Sequence, residues 1–515
     1  MKNKIMLFFA CFFIILDSLV LGLFSYLSNN IILELAGYLY TFFNDTSGTA
    51  NDVFINAAKH VIPFVLSGIL IVLIIVYFFK NICKNNSASI LIKLKNRKKG
   101  LKFNGVSLLL LFVLMLGISL FGLTLYNIDK TYYVTDYLSH KNKKTLIYDE
   151  YCVPTENVAI KGENTNNLIL VYLESMECTF MSKENGGKMD AELMPNLVKL
   201  ANENINFSAS SGVGGFNSTT STTWTMGGIF ASQSGLPFMF PIDGNTLDKT
   251  KPFAPKVTAI GDILKKYNYT SEFLCGSKAT FAGRDVFFTS HGYNRIFDYD
   301  TAVEKKYTDK FIWWGLEDKL LYEIAKDELT ELAKQNQPFC LTMITVDTHH
   351  VGGYVCELCQ NQHDVQYANV ISCADRQIYD FVEWIKQQDF YENTTIVLMG
   401  DHPTMDSTLI YSDLKHSDNA YRRRVNTYDT LADRYVYNCF INSKVVTDNT
   451  KNRELNTMDM FPTILAALGF EIDGDRLALG TNVFSDKETL QEQKGLHYLN
   501  EELSKYSEYC VDKFY

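Results

Sequence analysis

The chain has 515 residues, 47% of them apolar, and a formal net charge of −10. This charge is unevenly distributed, because residues 1–126 carry a net charge of +7 and the remaining residues a net charge of −17. An acidic surface repels the phosphate backbone of nucleic acids, so the composition argues against a nucleic-acid partner. The length is sufficient for more than one structural unit.

Three apolar runs near the N-terminus approach the ~20 residues that a bilayer-spanning helix needs. They are Ile5–Leu27, Ile62–Phe79 and Val106–Tyr126. The first run could instead be a cleaved signal peptide, but its length, its Asp17 and the lack of a small-x-small cleavage site favour a retained span. For Asp17 we expect a hydrogen bond between helices rather than a bound ligand.

The charges that flank these runs predict their orientation. The loop between the second and third runs contains eight basic and no acidic residues: Lys80, Lys84, Lys93, Lys95, Arg97, Lys98, Lys99 and Lys102. Positively charged loops stay on the cytoplasmic side, and the start MKNK is also basic. We therefore expect a multi-pass membrane protein whose residues after Tyr126 lie outside the cytoplasm.

Strand-like and helix-like segments alternate after a polar juxtamembrane linker at residues 127–165. This alternation predicts an α/β domain with a largely parallel sheet at residues 166–485, followed by a tail at 486–515. The predicted strands are Leu168–Leu173, Ser271–Cys275, Phe339–Val346, Thr394–Met399 and Tyr435–Ile441. The predicted helices are Met194–Asn202, Val257–Tyr267, Trp313–Lys334, Ala374–Gln387 and Asp459–Leu468.

Acidic and imidazole side chains follow three of these strands. Glu174 comes directly after the first, the segment DTHH (347–350) follows the third, and Asp401 and His402 follow the fourth. Sites in open α/β sheets form at the carboxyl ends of the strands, so these side chains are expected to converge. Together they suit a divalent cation.

Residues 219–229 read TTSTTWTMGGI and place several hydroxyls just before a helix start. Hydroxyl side chains often cap helices, and that role alone would account for most such clusters. A Thr beside a bound cation could instead attack phosphorus, with the helix amides binding the phosphate oxygens.

Eleven Cys are present, nine of them after the last apolar run, so at least one of these nine is unpaired within the chain or bonded elsewhere. Cys356, Cys359 and Cys373 lie close together in the polar segment VCELCQNQHDVQYANVISC. A disulfide between Cys373 and either Cys356 or Cys359 is favoured, because it would pin this loop. A zinc site with His363 as the fourth ligand is the alternative.

Several segments occur together in the order found in a known family. They are NLILVYLES, MPNLVKLANENINF, the Thr-rich segment running into GGIFASQSGLP, GRDVFFTSHGY, TVDTHH, MGDH and DMFPTILAALG. Over about residues 140–485 the chain resembles the lipoteichoic acid synthase and phosphoglycerol transferase I family, in the sulfatase-like branch of the alkaline phosphatase superfamily. The resemblance implies an α/β/α sandwich behind a transmembrane region.

The resemblance also implies roles for individual residues. Glu174, Asp401 and His402 match the family's metal ligands, together with a nucleophilic Thr that also binds the metal. Counting back from Gly235-Leu236-Pro237, the family spacing places this nucleophile at Thr222, with Thr223 and Thr220 as alternatives. Manganese is the implied metal, and the ligand types also admit magnesium or zinc.

Two further residues match substrate contacts. Arg284, in FAGRD, matches an arginine that binds the phosphate of the phosphoglycerol group, and a guanidinium can contact two phosphate oxygens at once. His349 matches a histidine that contacts this phosphate or protonates the leaving group, whereas we expect a structural role for His350. Ala282 stands where the synthases have a Trp near this arginine, and Val351 follows where the family often has Pro.

The implied protein is a multi-pass enzyme of the bacterial cell membrane with an extracytoplasmic catalytic domain. It would move phosphoglycerol from phosphatidylglycerol to a glycan or polyglycerolphosphate acceptor through a glycerophospho-threonine. The alternatives are a phosphoethanolamine transferase, a sulfatase-like phosphodiesterase and a non-catalytic glycan-binding protein. No C/S-x-P-x-R motif surrounds Thr222, which argues against a sulfatase.

Overall fold

The computed structural model describes residues 2–31, 33–43, 51–84, 89–92, 101–239, 252–406 and 432–515. It forms two compact units. The first consists of Met1–Ile31 and Asn51–Thr135, and the second of Ile32–Ala50 and Asp136–Tyr515.

Helices and strands are interspersed along the described part of the chain. The helices are α1 (Lys2–Asn30), α2 (Leu35–Phe43), α3 (Asn51–Lys84), α4 (Gly105–Tyr132), α5 (Val134–Lys141), α6 (Ile147–Tyr151), α7 (Pro195–Glu203), α8 (Thr225–Ser234), α9 (Ile260–Lys266), α10 (Arg284–Ser290), α11 (Tyr299–Glu304), α12 (Asp318–Ala333), α13 (Gln366–Ile385), α14 (Met460–Ala467), α15 (Leu490–Lys494), α16 (Leu496–Leu503) and α17 (Glu508–Phe514). The strands are β1 (Ser89–Ile92), β2 (Leu101–Asn104), β3 (Ile160–Gly162), β4 (Asn167–Leu173), β5 (Gly215–Asn217), β6 (Thr270–Cys275), β7 (Arg295–Phe297), β8 (Phe339–Ile344), β9 (Thr394–Gly400), β10 (Tyr435–Ile441), β11 (Phe470–Ile472), β12 (Arg476–Leu477) and β13 (Gly480–Thr481).

The first unit contains the three apolar helices that the sequence predicts. The stretches Lys2–Asn30, Val53–Asn81 and Gly105–Tyr132 are long and apolar enough to cross a membrane. Their outward side chains are apolar, as lipid contact requires; Phe8 and Phe112 are each 64% exposed. Most of the predicted cytoplasmic loop lies outside the described residues.

The expected role of Asp17 is confirmed. Helix α1 packs against α3 and α4, and the Thr124 hydroxyl of α4 donates a hydrogen bond of 2.6 Å to the Asp17 carboxylate of α1. This pairing satisfies a polar group that would otherwise face hydrocarbon.

The second unit is built on a seven-stranded sheet of order β5-β10-β9-β4-β8-β6-β7. Strands β9, β4, β8, β6 and β7 are parallel, whereas β10 runs antiparallel to β9, and β5 antiparallel to β10. Along β4, Val171 faces the core formed with α12 and α13, and the next residue, Tyr172, bonds to Ser232 of α8 on the other face. Helices therefore cover both faces, as the sequence predicts.

The predicted strands match the long strands of the sheet to within one or two residues. The short edge strands β5 and β7 were not predicted, because three residues show no alternation.

Helix α12 begins at Asp318 rather than Trp313, since Gly315 adopts φ 146° in a preceding turn. Residues 486–515 form α15 to α17, and the buried Phe514 ring packs 5.1 Å from Phe230 of α8.

Candidate active site

The register of the sheet brings two acidic residues to the same level. Leu173 of β4 lies opposite Gly400 of the neighbouring parallel strand β9. The residues that follow, Glu174 and Asp401, therefore leave the sheet side by side. His402 comes next, and ligand atoms of these three residues all lie within 4.8 Å of one another. We call Glu174, Asp401 and His402 the carboxylate–histidine cluster.

Short hydrogen bonds hold the cluster in place. The Oδ1 atom of Asp401 accepts from the backbone amides of Ser175 and His402, at 2.8 and 2.9 Å. Its Oδ2 atom is buried without a hydrogen-bond partner among the described residues. The Nδ1 atom of His402 donates to the Pro403 carbonyl at 2.8 Å, which leaves Nε2 facing Glu174 and Asp401, at 3.5 and 3.3 Å from their carboxylate oxygens.

The three groups perturb one another's protonation. Burial and the neighbouring Glu174 carboxylate raise the pKa of Asp401 to about 7. Burial acts in the same direction on Glu174, but His349 and His402 outweigh it and hold the pKa of Glu174 well below its usual range. Burial lowers the pKa of His402, yet the two carboxylates outweigh it and raise this pKa to about 9. These three groups share protons when no metal is bound, and a bound cation would take the place of those protons.

The hydroxyl beside this cluster belongs to Thr225. It lies 3.3 Å from Nε2 of His402 and 3.4 Å from Oε2 of Glu174. Thr225 is the first residue of α8, whose first amides have no partner within the helix. A phosphate oxygen could therefore bind these amides while phosphorus faces the hydroxyl.

The sequence analysis predicts Thr222 as nucleophile and metal ligand, but in the structure its hydroxyl bonds within the turn before α8 rather than to the carboxylate–histidine cluster. Its side chain is fully buried, donates to the carbonyl of Thr219 at 3.0 Å, and lies 3.3 Å from the Thr457 hydroxyl. Thr222 thus closes the turn before α8. Thr225 lies three residues after the position that the count back from Gly235 gives, almost one helical turn away.

The alternatives Thr220 and Thr223 are also engaged elsewhere. The Thr220 hydroxyl donates to the Asn500 carbonyl at 3.1 Å, and the Thr223 hydroxyl donates to the Glu34 carboxylate at 2.8 Å. The same Glu34 oxygen accepts the backbone amide of Ser221 at 2.8 Å. Glu34 precedes α2, and sequence reasoning gave no sign that this segment supports the turn.

The glycine pair after Thr225 allows α8 to approach the cluster. A Cβ atom on Gly228 would lie 2.0 Å from the Asp401 carbonyl oxygen. Only glycine permits this approach, which places the first turn of α8 against the loop that carries Asp401 and His402. The segment TTSTTWTMGGI therefore contains a turn held by Glu34, the start of α8, and the glycine that packs against the Asp401 carbonyl.

Arg284 forms the opposite wall of the pocket. It is 5% exposed, and no carboxylate pairs with it among the described residues. Its Nη2 atom donates to the Ser277 hydroxyl and the Lys278 carbonyl, at 2.8 and 2.9 Å, while Nε donates to the Phe281 carbonyl. A buried, rigidly held cation without an acidic partner suits an anionic ligand.

His349 and Trp314 complete the pocket. Their ring centroids are 4.4 Å apart, and the Trp314 indole nitrogen is buried without a partner among the described residues. Nδ1 of His349 lies 2.8 Å from the His350 carbonyl, which leaves Nε2 as an acceptor. Burial lowers the pKa of His349, so its neutral form predominates at neutral pH. One pocket is lined by Glu174, Thr225, Ser277, Phe281, Ala282, Arg284, Trp314, Val346 and His349.

Asp347 does not join the cluster, although the strand-end pattern grouped it there. Its Oδ1 atom accepts the Asp318 amide at 3.1 Å, at the start of α12. In return, Asp318 accepts the amides of Val346 and Asp347. This reciprocal pair fixes the loop that carries His349.

The predicted disulfide is not formed in the structure. The sulfur of Cys356 lies 3.7 Å from those of both Cys359 and Cys373, and all three are free thiols. A bonded pair would be about 2.05 Å apart. His363 does not join them; its Nε2 atom lies 3.3 Å from the Ser372 hydroxyl. We call Cys356, Cys359 and Cys373 the thiol cluster.

Comparison with known proteins agrees with the fold and the motifs. The family model described as sulfatase matches residues 166–470. The match covers more than half of the chain, so the chain belongs to the sulfatase family, and the resemblance drawn from its motifs is confirmed.

The curated relatives are phosphoglycerol transferases. Phosphoglycerol transferase I of Xanthomonas campestris pv. campestris is 32% identical over 306 residues, covering 58% of this chain and 41% of that protein. Phosphoglycerol transferase I of Citrobacter koseri is 32% identical over 252 residues, covering 47% and 31%. The chain thus spans less than half the length of these relatives. The crystal structure of the lipoteichoic acid synthase LtaP from Listeria monocytogenes is 19% identical, with a TM-score of 0.48, covering 64% of this chain and 80% of that one.

Proposed function

We propose that this protein is a membrane-anchored phosphoglycerol transferase that uses Thr225 as its nucleophile. The carrying observation is the position of the Thr225 hydroxyl, between His402 and Glu174 and in one pocket with Arg284. The identity of the transferred group, phosphoglycerol, is inferred from the phosphoglycerol transferase I relatives. The proposed donor is phosphatidylglycerol, and the acceptor is an extracytoplasmic glycan or a polyglycerolphosphate chain.

Glu174, Asp401, His402 and the Thr225 oxygen would hold one divalent cation. The fit rests on the buried Oδ2 atom of Asp401 and the Nε2 atom of His402, which lie 3.3 Å apart, and on ligand atoms of all three residues within 4.8 Å of one another. A cation bound there lowers the pKa of a ligated hydroxyl and balances the charge of the phosphate. Manganese is proposed from the family resemblance, and the donor set also accommodates magnesium or zinc.

The remaining groups position the donor. Arg284 binds phosphate oxygens, and the first amides of α8 face the same group. In the first step the Thr225 oxygen bonds to phosphorus and the bond to the diacylglycerol oxygen breaks. That oxygen takes up the proton that Thr225 has lost.

The second step reverses this chemistry with a different alcohol. The acceptor hydroxyl attacks the glycerophospho-threonine, the Thr225–phosphorus bond breaks, and Thr225 regains a proton. His349 is assigned to carry protons in both steps, because it lines the pocket and the bond from Nδ1 to the His350 carbonyl leaves Nε2 as an acceptor. The protons balance over the cycle, and no water is consumed.

We also propose a multi-pass topology with the second unit outside the cytoplasm. Residues 33–43 precede the second apolar stretch, yet they belong to the same unit as the residues after the third. Two spans separate these segments, so both lie on one side, and the basic loop 80–102 assigns the other side to the cytoplasm. Reporter fusions after Asn104 and after Lys141 should report opposite sides; the same side for both would contradict this topology.

The function is tested with the full-length protein in lipid nanodiscs. One preparation contains phosphatidylglycerol labelled in its headgroup glycerol, and a matched one contains phosphatidylethanolamine labelled in its ethanolamine. With manganese and a glycan acceptor, we expect diacylglycerol release and label transfer from phosphatidylglycerol alone. Diacylglycerol release from phosphatidylethanolamine alone would identify the protein as a phosphoethanolamine transferase. Hydrolysis of a sulfate ester, with neither lipid consumed, would contradict transfer altogether.

A further inference from the structure

The thiol cluster forms a second group of ligand atoms, apart from the residues of the proposed reaction. Cys356 and Cys359 lie in the segment between β8 and α13, and Cys373 lies on α13. The three sulfur atoms are all within 4.8 Å of one another. Cys356 and Cys373 are 3% and 1% exposed.

The sulfur separations suit a shared metal ion. Zinc binds thiolates at about 2.3 Å, so two sulfurs on a tetrahedral ion lie about 3.8 Å apart. Cys356 lies 3.7 Å from each of its two neighbours. A disulfide could join only two of the three sulfurs and would leave the third as a free thiol beside it.

The local backbone follows a pattern common among zinc sites. Cys356 and Cys359 are separated by two residues, the shortest ligand spacing typical of structural zinc. The amide of Cys359 donates to the Cys356 carbonyl at 3.1 Å, which forms a tight turn that directs both side chains to one side. Cys373 reaches the same point from α13.

A buried amide provides an independent sign of negative charge on these sulfurs. Gln377, 8% exposed and one turn beyond Cys373, has its Nε2 atom 3.5 Å from the sulfur of Cys373 and 3.9 Å from that of Cys356. Its Oε1 atom is buried without a partner among the described residues. An amide that gives its donor to two sulfurs and leaves its acceptor unused favours thiolates over thiols.

We propose that Cys356, Cys359 and Cys373 bind one zinc ion as three thiolates, with solvent at the fourth position. Binding would release the thiol protons. The ion would fasten residues 345–365 to α13. That segment carries His349, so the site would fix one wall of the catalytic pocket without touching substrate.

Metal content of the purified full-length protein tests this proposal. We expect one equivalent of zinc in the wild type, in the control Cys152→Ser, and in Asp401→Asn, which disables the other cluster. Cys373→Ser should lose this zinc. Cobalt should give thiolate-to-cobalt charge-transfer bands with the wild type and with Asp401→Asn, and these bands should disappear in Cys373→Ser. The Asp401→Asn arm makes the outcome independent of the proposed enzyme activity.

Three results would overturn the proposal. The first is a disulfide joining Cys373 to Cys356 or Cys359 in a non-reducing peptide map of zinc-free protein. The second is full zinc retention by Cys373→Ser. The third is a wild-type cobalt spectrum without thiolate bands, which needs no variant. If Cys373→Ser does not fold, Cys359→Ser replaces it, because Cys359 is only half-buried.

Discussion

The part of the chain that the structure describes contains two three-residue clusters of potential metal ligands, and they differ in chemistry and in construction. The carboxylate–histidine cluster offers oxygen and nitrogen donors at the ends of neighbouring parallel strands. The thiol cluster offers sulfur donors from a loop and the helix that follows it, with Cys356 and Cys373 only 17 residues apart. Oxygen donors suit hard cations that handle phosphate, whereas thiolates suit zinc in structural sites.

The difference in construction shows how each cluster is held. Glu174 and Asp401 are far apart in the chain, and the register of β4 and β9 places them together, so their positions are as rigid as the core. The thiols close a local loop and would hold it only through a shared ion. The first cluster also has the Thr225 hydroxyl beside it, and Glu174 and Thr225 line one pocket together with the buried Arg284.

Loss of the Thr225 hydroxyl should have the largest effect. We expect Thr225→Ala to lower transfer by roughly 10⁴-fold or more, because removing a covalent nucleophile leaves only binding and electrostatic terms. The melting temperature and the zinc content should stay close to wild type. Thr222→Ala is the matched control; it should keep most of the transfer activity and lose about 1–2 kcal/mol of stability through its broken turn. If Thr222→Ala were inactive and Thr225→Ala active, the nucleophile would be Thr222 instead of Thr225.

The second-largest loss of activity is expected when the nucleophile is displaced but not removed. In Gly228→Ala the new methyl group would meet the Asp401 carbonyl, so α8 must move away from the cluster. A shift near 1 Å can cost about 100-fold in rate, and we expect a kcat loss of that order. Gly212→Ala adds the same methyl group where no atom lies within 4 Å, and it should retain full activity. Equal activity of both variants would show that α8 does not set the position of Thr225.

Loss of the thiol cluster should affect catalysis only through the loop. We expect Cys373→Ser to lower kcat by about tenfold, less than a 1 Å displacement of the reacting groups can cost. The dependence of the rate on added manganese should stay unchanged, since the carboxylate–histidine cluster is intact. A shifted manganese dependence would mean that the two clusters are not independent, and the comparison would fail.

The smallest effect concerns Glu34, which braces the turn through Ser221 and Thr223. Burial raises its pKa from 4.5 to about 7, against the opposing effects of these hydrogen bonds and of Lys141. Tyr137 also lies near this carboxylate. A folded-state pKa above the unfolded value means that the fold binds the proton more tightly, so stability declines as pH rises.

Thermal melts of wild type and Glu34→Gln should therefore differ with pH. Gln keeps an acceptor for both donors but does not titrate. The wild type should be relatively most stable below about pH 4.5 and should lose that advantage as pH rises through about 7. Other titrating groups cancel in the difference between the two curves. A flat difference, or one that increases with pH, would contradict this assignment.

Much of the architecture follows from the sequence. Runs of apolar, β-branched residues predict the long strands. Because polar residues follow these runs at the carboxyl ends of the strands, the sequence also predicts that Glu174, Asp401 and His402 lie close together. Asp347 shows the limit of that rule, because the same pattern also produces a carboxylate that fixes the start of a helix. Three apolar stretches predict the membrane helices directly.

Other parts of the site depend on information that local patterns do not contain. The count of residues back from Gly235 gives Thr222, and such a count ignores where the helix begins. The hydroxyl beside the carboxylate–histidine cluster is that of Thr225, at the helix start, which is followed at once by Met and two Gly. Glu34 lies between two apolar runs, far from the turn that it braces. Trp314 lies between Trp313 and Gly315, whose φ angles of 58° and 146° place it in a turn before α12, and only the folded chain brings it to His349.

The central claim is that Thr225 forms the covalent bond to phosphorus. Wild-type protein is mixed with phosphatidylglycerol and manganese in the absence of acceptor, quenched in acid, digested and mapped by tandem mass spectrometry. The account predicts a glycerophosphoryl group on Thr225, and none in a parallel sample with phosphatidylethanolamine. An adduct on Thr220, Thr222 or Thr223, or diacylglycerol release with no adduct on any hydroxyl of this segment, would contradict it.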